Sequence, residues 1–133
     1  MKGFVANIEQ ESEKNEFFRK VLFTAPHSQL VVMSVPGEIG MEVHPANDQF
    51  IRIEEGSGKA IFDGEESMLE GGSAVVIPAG TEHNIVNTGE GSLKLYTIYS
   101  PAHHPDGTIH KTREEAMAAE KQSDESLNTN RRE

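Results

Sequence analysis

Apolar residues between Phe17 and Tyr99 fall in short runs, each closed by a cluster of turn residues. The runs are Phe17 to Thr24, Gln29 to Val35, Gln49 to Ile53, Lys59 to Phe62, Ser73 to Ile77, Asn84 to Val86 and Leu93 to Tyr99. They are rich in Val, Ile, Phe and Tyr, side chains that suit a pleated, half-buried surface, so each predicts a strand. Ala25-Pro26-His27-Ser28, Pro36-Gly37, Glu55-Gly56-Ser57-Gly58, Glu70-Gly71-Gly72, Pro78-Ala79-Gly80 and Thr88-Gly89-Glu90-Gly91 separate them. These residues supply the backbone angles of tight turns. Short strands at this spacing predict an all-β sandwich or barrel. The sharpest local signal is Asp63-Gly64, which links Ala60-Ile61-Phe62 to the stretch from Glu65 to Leu69 as a hairpin. Phe50, Ile51, Ile53, Val76, Ile77, Ile85, Leu93 and Leu95 are the candidates for core or barrel wall.

One helix is expected, near the C-terminus and outside the barrel. Thr112 is placed to cap it, Glu115 stands at the capping-box position, and the stretch from Glu114 to Glu120 carries Ala-Met-Ala-Ala. The polar segment from Glu9 to Glu16 predicts a surface loop. Residues 121–133 are polar with a single Leu and predict a disordered tail, leaving 1–120 as one domain. A chain of 133 residues suits one core rather than two.

Composition narrows the chemistry. The formal charge is -10 and the Lys and Arg residues are scattered, so no basic stripe faces nucleic acid. There is no cysteine, so any metal must rest on His, carboxylate or amide groups. No apolar run approaches the roughly 20 residues of a membrane helix. The charged stretch from Glu9 to Lys14 arrives too early for a signal peptide, and a cytoplasmic protein is the expectation.

In an extended strand Glu42 and His44 project to one side and Val43 to the other, so both donors can reach one metal. A turn through Pro45-Ala46-Asn47-Asp48 would return the Gln49 amide beside His44. Asp48 is a rival oxygen donor that alternation points away from that side. The second candidate piece runs from Gly72 to Asn87. It resembles the second cupin motif, G-x5-P-x-G-x2-H-x3-N, at Gly72, Pro78, Gly80, His83 and Asn87. The first cupin motif, G-x5-H-x-H-x3,4-E-x6-G, is similar to the stretch carrying Glu42, His44, Gln49 and Gly56, with the spacing intact and two ligand types changed. Its leading Gly falls on Pro36, one place before Gly37.

The resemblance implies a double-stranded β-helix of cupin or jelly-roll type, with a metal inside its mouth held by residues of motifs 42–56 and 72–87. Glu42 stands where the first His usually stands, His44 matches the second, Gln49 replaces the acid and His83 matches the last. This mixed set of nitrogen and oxygen donors suits one divalent ion, Mn, Fe, Ni or Zn, without choosing among them. Gly72, Pro78, Gly80 and Asn87 are expected to serve structure.

After the last strand, Tyr99, His103, His104 and His110 form a His-rich stretch. If it folds over the mouth, these residues become candidates for acid, base or substrate contact. The expected function is a metal-dependent enzyme acting on a small polar molecule, of isomerase or oxygenase type. The alternatives are a small-molecule binding module and a structural protein with a vestigial site. Small cupins of this appearance are similar to mannose-6-phosphate isomerase, but phosphate recognition needs converging Lys or Arg, and Arg52 is the one strand candidate near the site. A homodimer is expected, with the Phe17 to Thr24 strand covering an open edge.

Overall fold

Alternation decides which side chains enter the core. In β8 (Leu93–Ser100), Leu93, Leu95, Thr97 and Tyr99 are buried and the residues between them are not. The neighbouring strands repeat the pattern in register. β8 pairs antiparallel with β2 (Gln29–Val35) on one side and β3 (Asp48–Glu55) on the other. The inward row at one end is therefore Gln29, Tyr99, Gln49 and, through β6 (Ala74–Ile77), Ile77. Two residues further in, the row is Val31, Thr97, Ile51 and Val75, and beyond it lie Met33, Leu95 and Ile53. The interior is polar at its mouth and apolar at its floor.

The computed structural model describes residues 2–121. Two antiparallel sheets face each other. The six-stranded sheet runs β6-β3-β8-β2-β1-β9, with β1 (Arg19–Thr24) between β2 and the two-residue β9 (Ile109–His110). The three-stranded sheet runs β5-β4-β7, from β4 (Ser57–Phe62), β5 (Glu65–Glu70) and β7 (His83–Asn87). At the β4–β5 hairpin Asp63 and Gly64 both take positive φ, 47° and 87°, the requirement of the turn that fits strand twist. The strands follow the predicted runs closely. Asn87, the last motif residue, is structural as expected. Its Nδ2 donates to the carbonyls of Val35, Pro36 and Gly91, and its Oδ1 accepts from the Gly89 amide.

Two expectations about packing are corrected. Val76 is 67% exposed and Phe50 only partly buried, because each sits next to an inward residue, Ile77 or Ile51, and alternation turns it outward. The polar segment expected as a loop contains helix α1 (Ile8–Lys14). Asn7 caps it by accepting a hydrogen bond from the Gln10 amide, Lys14 pairs with Glu11 at 3.1 Å, and the small Ser12 is its buried residue. Such a helix carries no apolar stripe to betray it.

The C-terminal helix, α2, is helical over 113–121, where the described residues end. The Thr112 hydroxyl accepts from the Glu115 amide, the Glu115 carboxylate accepts from the Lys111 amide, and Ala116 is buried. Of the polar tail, 122–133 lies outside the described residues. Among the described residues no helix is long and apolar enough to cross a membrane.

Candidate metal centre

The two motif segments meet at the polar end of the barrel. Glu42 is not within a strand. It sits in an extended stretch tied to β7 by one antiparallel bridge, in which the Glu42 amide donates to the His83 carbonyl and the His83 amide to the Glu42 carbonyl. The Gly80 amide donates to the His44 carbonyl, and the buried Asn84 side chain accepts from the Gly40 amide. These bonds fix the two stretches side by side. Alternation survives: His44 is 4% exposed while Val43 is 48% exposed.

Each expected donor has a definite place. His83 is 4% exposed, and its Nδ1 lies 2.9 Å from the Thr81 carbonyl. A carbonyl only accepts, so Nδ1 carries a proton, and in the neutral imidazole the lone pair is on Nε2. His44 Nε2 lies 3.2 Å from a Glu42 carboxylate oxygen, but off the direction of a hydrogen bond, and has no hydrogen-bond partner among the described residues. Gln49 donates from Nε2 to the Thr97 hydroxyl at 3.0 Å, while its buried Oε1 likewise lacks a partner. Asp48 is turned away and accepts from the Ala79 amide.

Burial alone would raise the Glu42 carboxyl, but contact with His44 and the charges of His44, Arg19 and His83 outweigh it. Glu42 is held below the usual carboxylate range and is ionised at neutral pH. The residues present fit a divalent ion in chemistry. The buried His44 Nε2 and Gln49 Oε1 have no hydrogen-bond partner among the described residues, the Glu42 carboxylate lies beside His44, and the neutral His83 imidazole is held in the tautomer that ligates through Nε2. The His44 and His83 ring centres are 5.2 Å apart. Two imidazoles on one ion sit roughly 4.5–5.5 Å apart when nitrogen–metal distances are near 2 Å. Among the described residues no three His, Asp or Glu side chains are grouped closely enough to hold a metal ion by themselves.

The His-rich stretch does cover the mouth. His103 packs against His44 with ring centres 4.3 Å apart, and Tyr99 lies 5.7 Å from His44, 5.3 Å from His103 and 5.2 Å from His104. The side chain that holds this stretch is Gln29. It donates to the His104 carbonyl at 2.7 Å and accepts from the His103 and His104 amides. Asn47 adds donations to the carbonyls of Pro101 and Ala102. His110 lies further along, on β9, where its Nδ1 accepts from Arg19 at 3.2 Å.

The titration of these groups follows their surroundings. Burial raises the Tyr99 phenol well above its ordinary value, so it stays a neutral donor. Burial pushes His103 down to about 4 and His104 lower still, and the charges of His44 and Arg19 respectively add to this. His103 keeps an exposed edge, which makes its depression the shallower of the two. His110 is lowered by burial and by Arg19. All three imidazoles are neutral near pH 7.

A cavity of about 530 Å³ opens between the mouth and α2, lined among others by Glu42, His44, His103, His104, His110 and Glu120. Arg52 has no part in it. It shares the outward face with Phe50, is exposed, and pairs with Glu54. The cation at the site is Arg19, 1% exposed, which the sequence reading passed over. Its signal was its alternation with inward-facing Val21 in β1.

The chain belongs to the cupin family: residues 29–99 match the cupin domain. It is similar to the uncharacterised protein YrkC of Bacillus subtilis, 45% identical over 127 residues, which span 90% of this chain and 68% of that protein. The uncharacterised protein L612 of Acanthamoeba polyphaga mimivirus is 49% identical over 112 residues, 80% of this chain and 70% of that one. The crystal structure of BH2720 from Bacillus halodurans superposes with a TM-score of 0.86 at 45% identity, covering 88% of this chain and 95% of that one. KdgF from a Halomonas species superposes at 0.59 with 26% identity, covering 64% and 78%.

Proposed function

We propose that this cupin binds one divalent ion through His44, His83, Glu42 and Gln49 and uses it to act on a small polar molecule, as an isomerase or oxygenase. The observation that carries the reading is that two buried atoms at motif positions, His44 Nε2 and Gln49 Oε1, have no hydrogen-bond partner among the described residues, with an ionised Glu42 beside His44. Leaving such atoms unpaired costs about 1–3 kcal/mol each, and a cation relieves both. When bound, the ion supplies Lewis acidity for polarising a carbonyl or hydroxyl, or an open position for dioxygen. Tyr99 orients substrate as a neutral donor, the neutral imidazoles of His103 and His104 accept hydrogen bonds, and the 101–110 stretch limits access of water.

A second reading, a module that binds without turnover, is supported by one observation. Tyr99 and His104 titrate far from neutral pH, outside the range that favours proton transfer at pH 7. Elemental analysis of the purified protein beside His83→Ala and His44→Ala tests the metal. Near-stoichiometric ion in the wild type and its loss from both variants is expected, and undiminished metal in His83→Ala defeats the assignment. A panel of sugars and keto acids with added Mn or Fe then separates turnover from binding.

A further inference from the structure

Among the described residues Arg19 is the one buried cation at the cavity. It opens β1, and its side chain is 2% exposed. Nη1 donates to His110 Nδ1 and lies 3.9 Å from the Glu120 carboxylate. The Nε–H has no hydrogen-bond partner among the described residues. The guanidinium also faces the Tyr99 phenol and acts on Glu42 by its charge. Glu42, His110 and Glu120 all line the cavity, so Arg19 stands directly behind its wall.

A guanidinium is a rigid fork of donors matched to a planar, two-oxygen anion, and taking one out of water is costly without such a partner. The Glu120 carboxylate answers the charge but does not close the fork. At 3.9 Å it lies beyond hydrogen-bond length, and its side chain is 51% exposed. A half-exposed ion pair at this distance is weak, so the contact with Arg19 does little by itself to hold Glu120 in place. With a divalent ion at the mouth, Arg19 and the ion exceed Glu42 and Glu120 by one positive charge, and by two once Glu120 moves aside.

We propose that the cavity takes a small molecule bearing a carboxylate, seated on Arg19, and that Glu120 occupies that carboxylate's place until the ligand displaces it. The proposal rests on the metal reading for the ligand's other end, but the pairing with Arg19 does not need the ion. A cavity of about 530 Å³ suits molecules of metabolite size. Two pieces of the chain then share recognition: β1 supplies the cation, and α2 supplies the competitor that sets how readily it is reached.

The test is calorimetric titration of the full chain, both metal-free and Mn-loaded, with pyruvate, lactate and malonate against the matched neutral amides. Glu120→Gln removes the competing charge from a half-exposed position and should bind the carboxylates about tenfold tighter than wild type, with the amides unmoved. Arg19→Met should weaken carboxylate binding by about a hundredfold. Should Arg19→Met not fold, Glu120→Gln decides alone. Equal binding of acids and amides, unchanged carboxylate affinity in Glu120→Gln, or no carboxylate binding in either metal state overturns the proposal. Metal content, measured on the same samples, reports on the ion separately. Carboxylate selectivity in a protein that takes up no Mn on loading would uphold Arg19 and reject the ion.

Discussion

The side-chain amide of Gln29 is paired to the backbone of His104 in both directions, as a strand neighbour would be. Nε2 donates to the His104 carbonyl at 2.7 Å, and the His104 amide donates to Oε1 at 3.1 Å. Because Gln29 is 1% exposed and fixed in β2, it extends the order of the sheet into a stretch with no strand of its own. Gln29→Leu keeps the volume but leaves the His103 and His104 amides and a carbonyl without partners. A loss of about 2–4 kcal/mol is expected in denaturant unfolding, with faster hydrogen exchange at those two amides. Unchanged exchange there would show that Asn47 holds the stretch alone.

Gln49 allows one negative charge to be added to the candidate centre. In Gln49→Glu a buried carboxylate replaces the amide whose Oε1 has no hydrogen-bond partner among the described residues, in a site that already holds the ionised Glu42. The metal-free protein should lose about 1–3 kcal/mol from burying a second negative charge, and divalent-ion affinity should rise by about tenfold or more. Competition titration against a chelating dye measures the affinity. A variant that loses stability and gains no affinity would place Gln49 outside the ligand set.

Acid should destabilise the metal-free protein before its carboxylates titrate. His104 is lowered by burial first and by Arg19 second, and His103 lies at about 4. In the unfolded chain both return to an ordinary value of about 6.5. Below that pH the unfolded chain takes up protons that the folded chain refuses, so stability is whole above about 6.5 and falls as pH drops toward the folded values. Urea midpoints measured from pH 7.5 to 5 should therefore decline, and His104→Asn should flatten the slope. A flat wild-type profile would contradict the burial of His104.

Gly58 is required by closeness. A Cβ there would stand 2.5 Å from the Val86 carbonyl oxygen and 3.1 Å from a Leu93 methyl. The carbonyl belongs to the β4–β7 ladder and cannot retreat without breaking it. Gly58→Ala should cost about 2–4 kcal/mol by thermal or urea unfolding. Its neighbour Ser57, exposed on the same strand, should tolerate alanine.

Most of the barrel could be read from the chain because strands and turns are local. The apolar run between two turn clusters placed β2 at Gln29–Val35, and Asp63-Gly64 fixed the β4–β5 hairpin. The spacing of Glu42, His44, Gln49 and His83 carried the mouth, since two short stretches bridged by backbone bonds needed no distant information. What escaped was set by tertiary contact. His103 and His104 owe their positions to Gln29 and Asn47, more than fifty residues upstream. Arg19 looked like an ordinary strand cation until His110 and Glu120 closed on it. Helix α1 depends on its Asn7 cap and one ion pair, signals that a uniformly polar stretch hides.

The inward rows pass from Gln29, Tyr99 and Gln49 to Met33, Leu95 and Ile53 within a few residues. That gradient makes the barrel a shallow socket. On the proposed function a guest would enter end-on and offer its leading atoms to the donors at the rim, with the remainder against residues 101–121. On that reading the chemistry would belong to the barrel, and part of the selection among guests to the separable C-terminal stretch. Exchanging the C-terminal stretch should redirect which molecules are admitted, and the socket beneath it would remain as built.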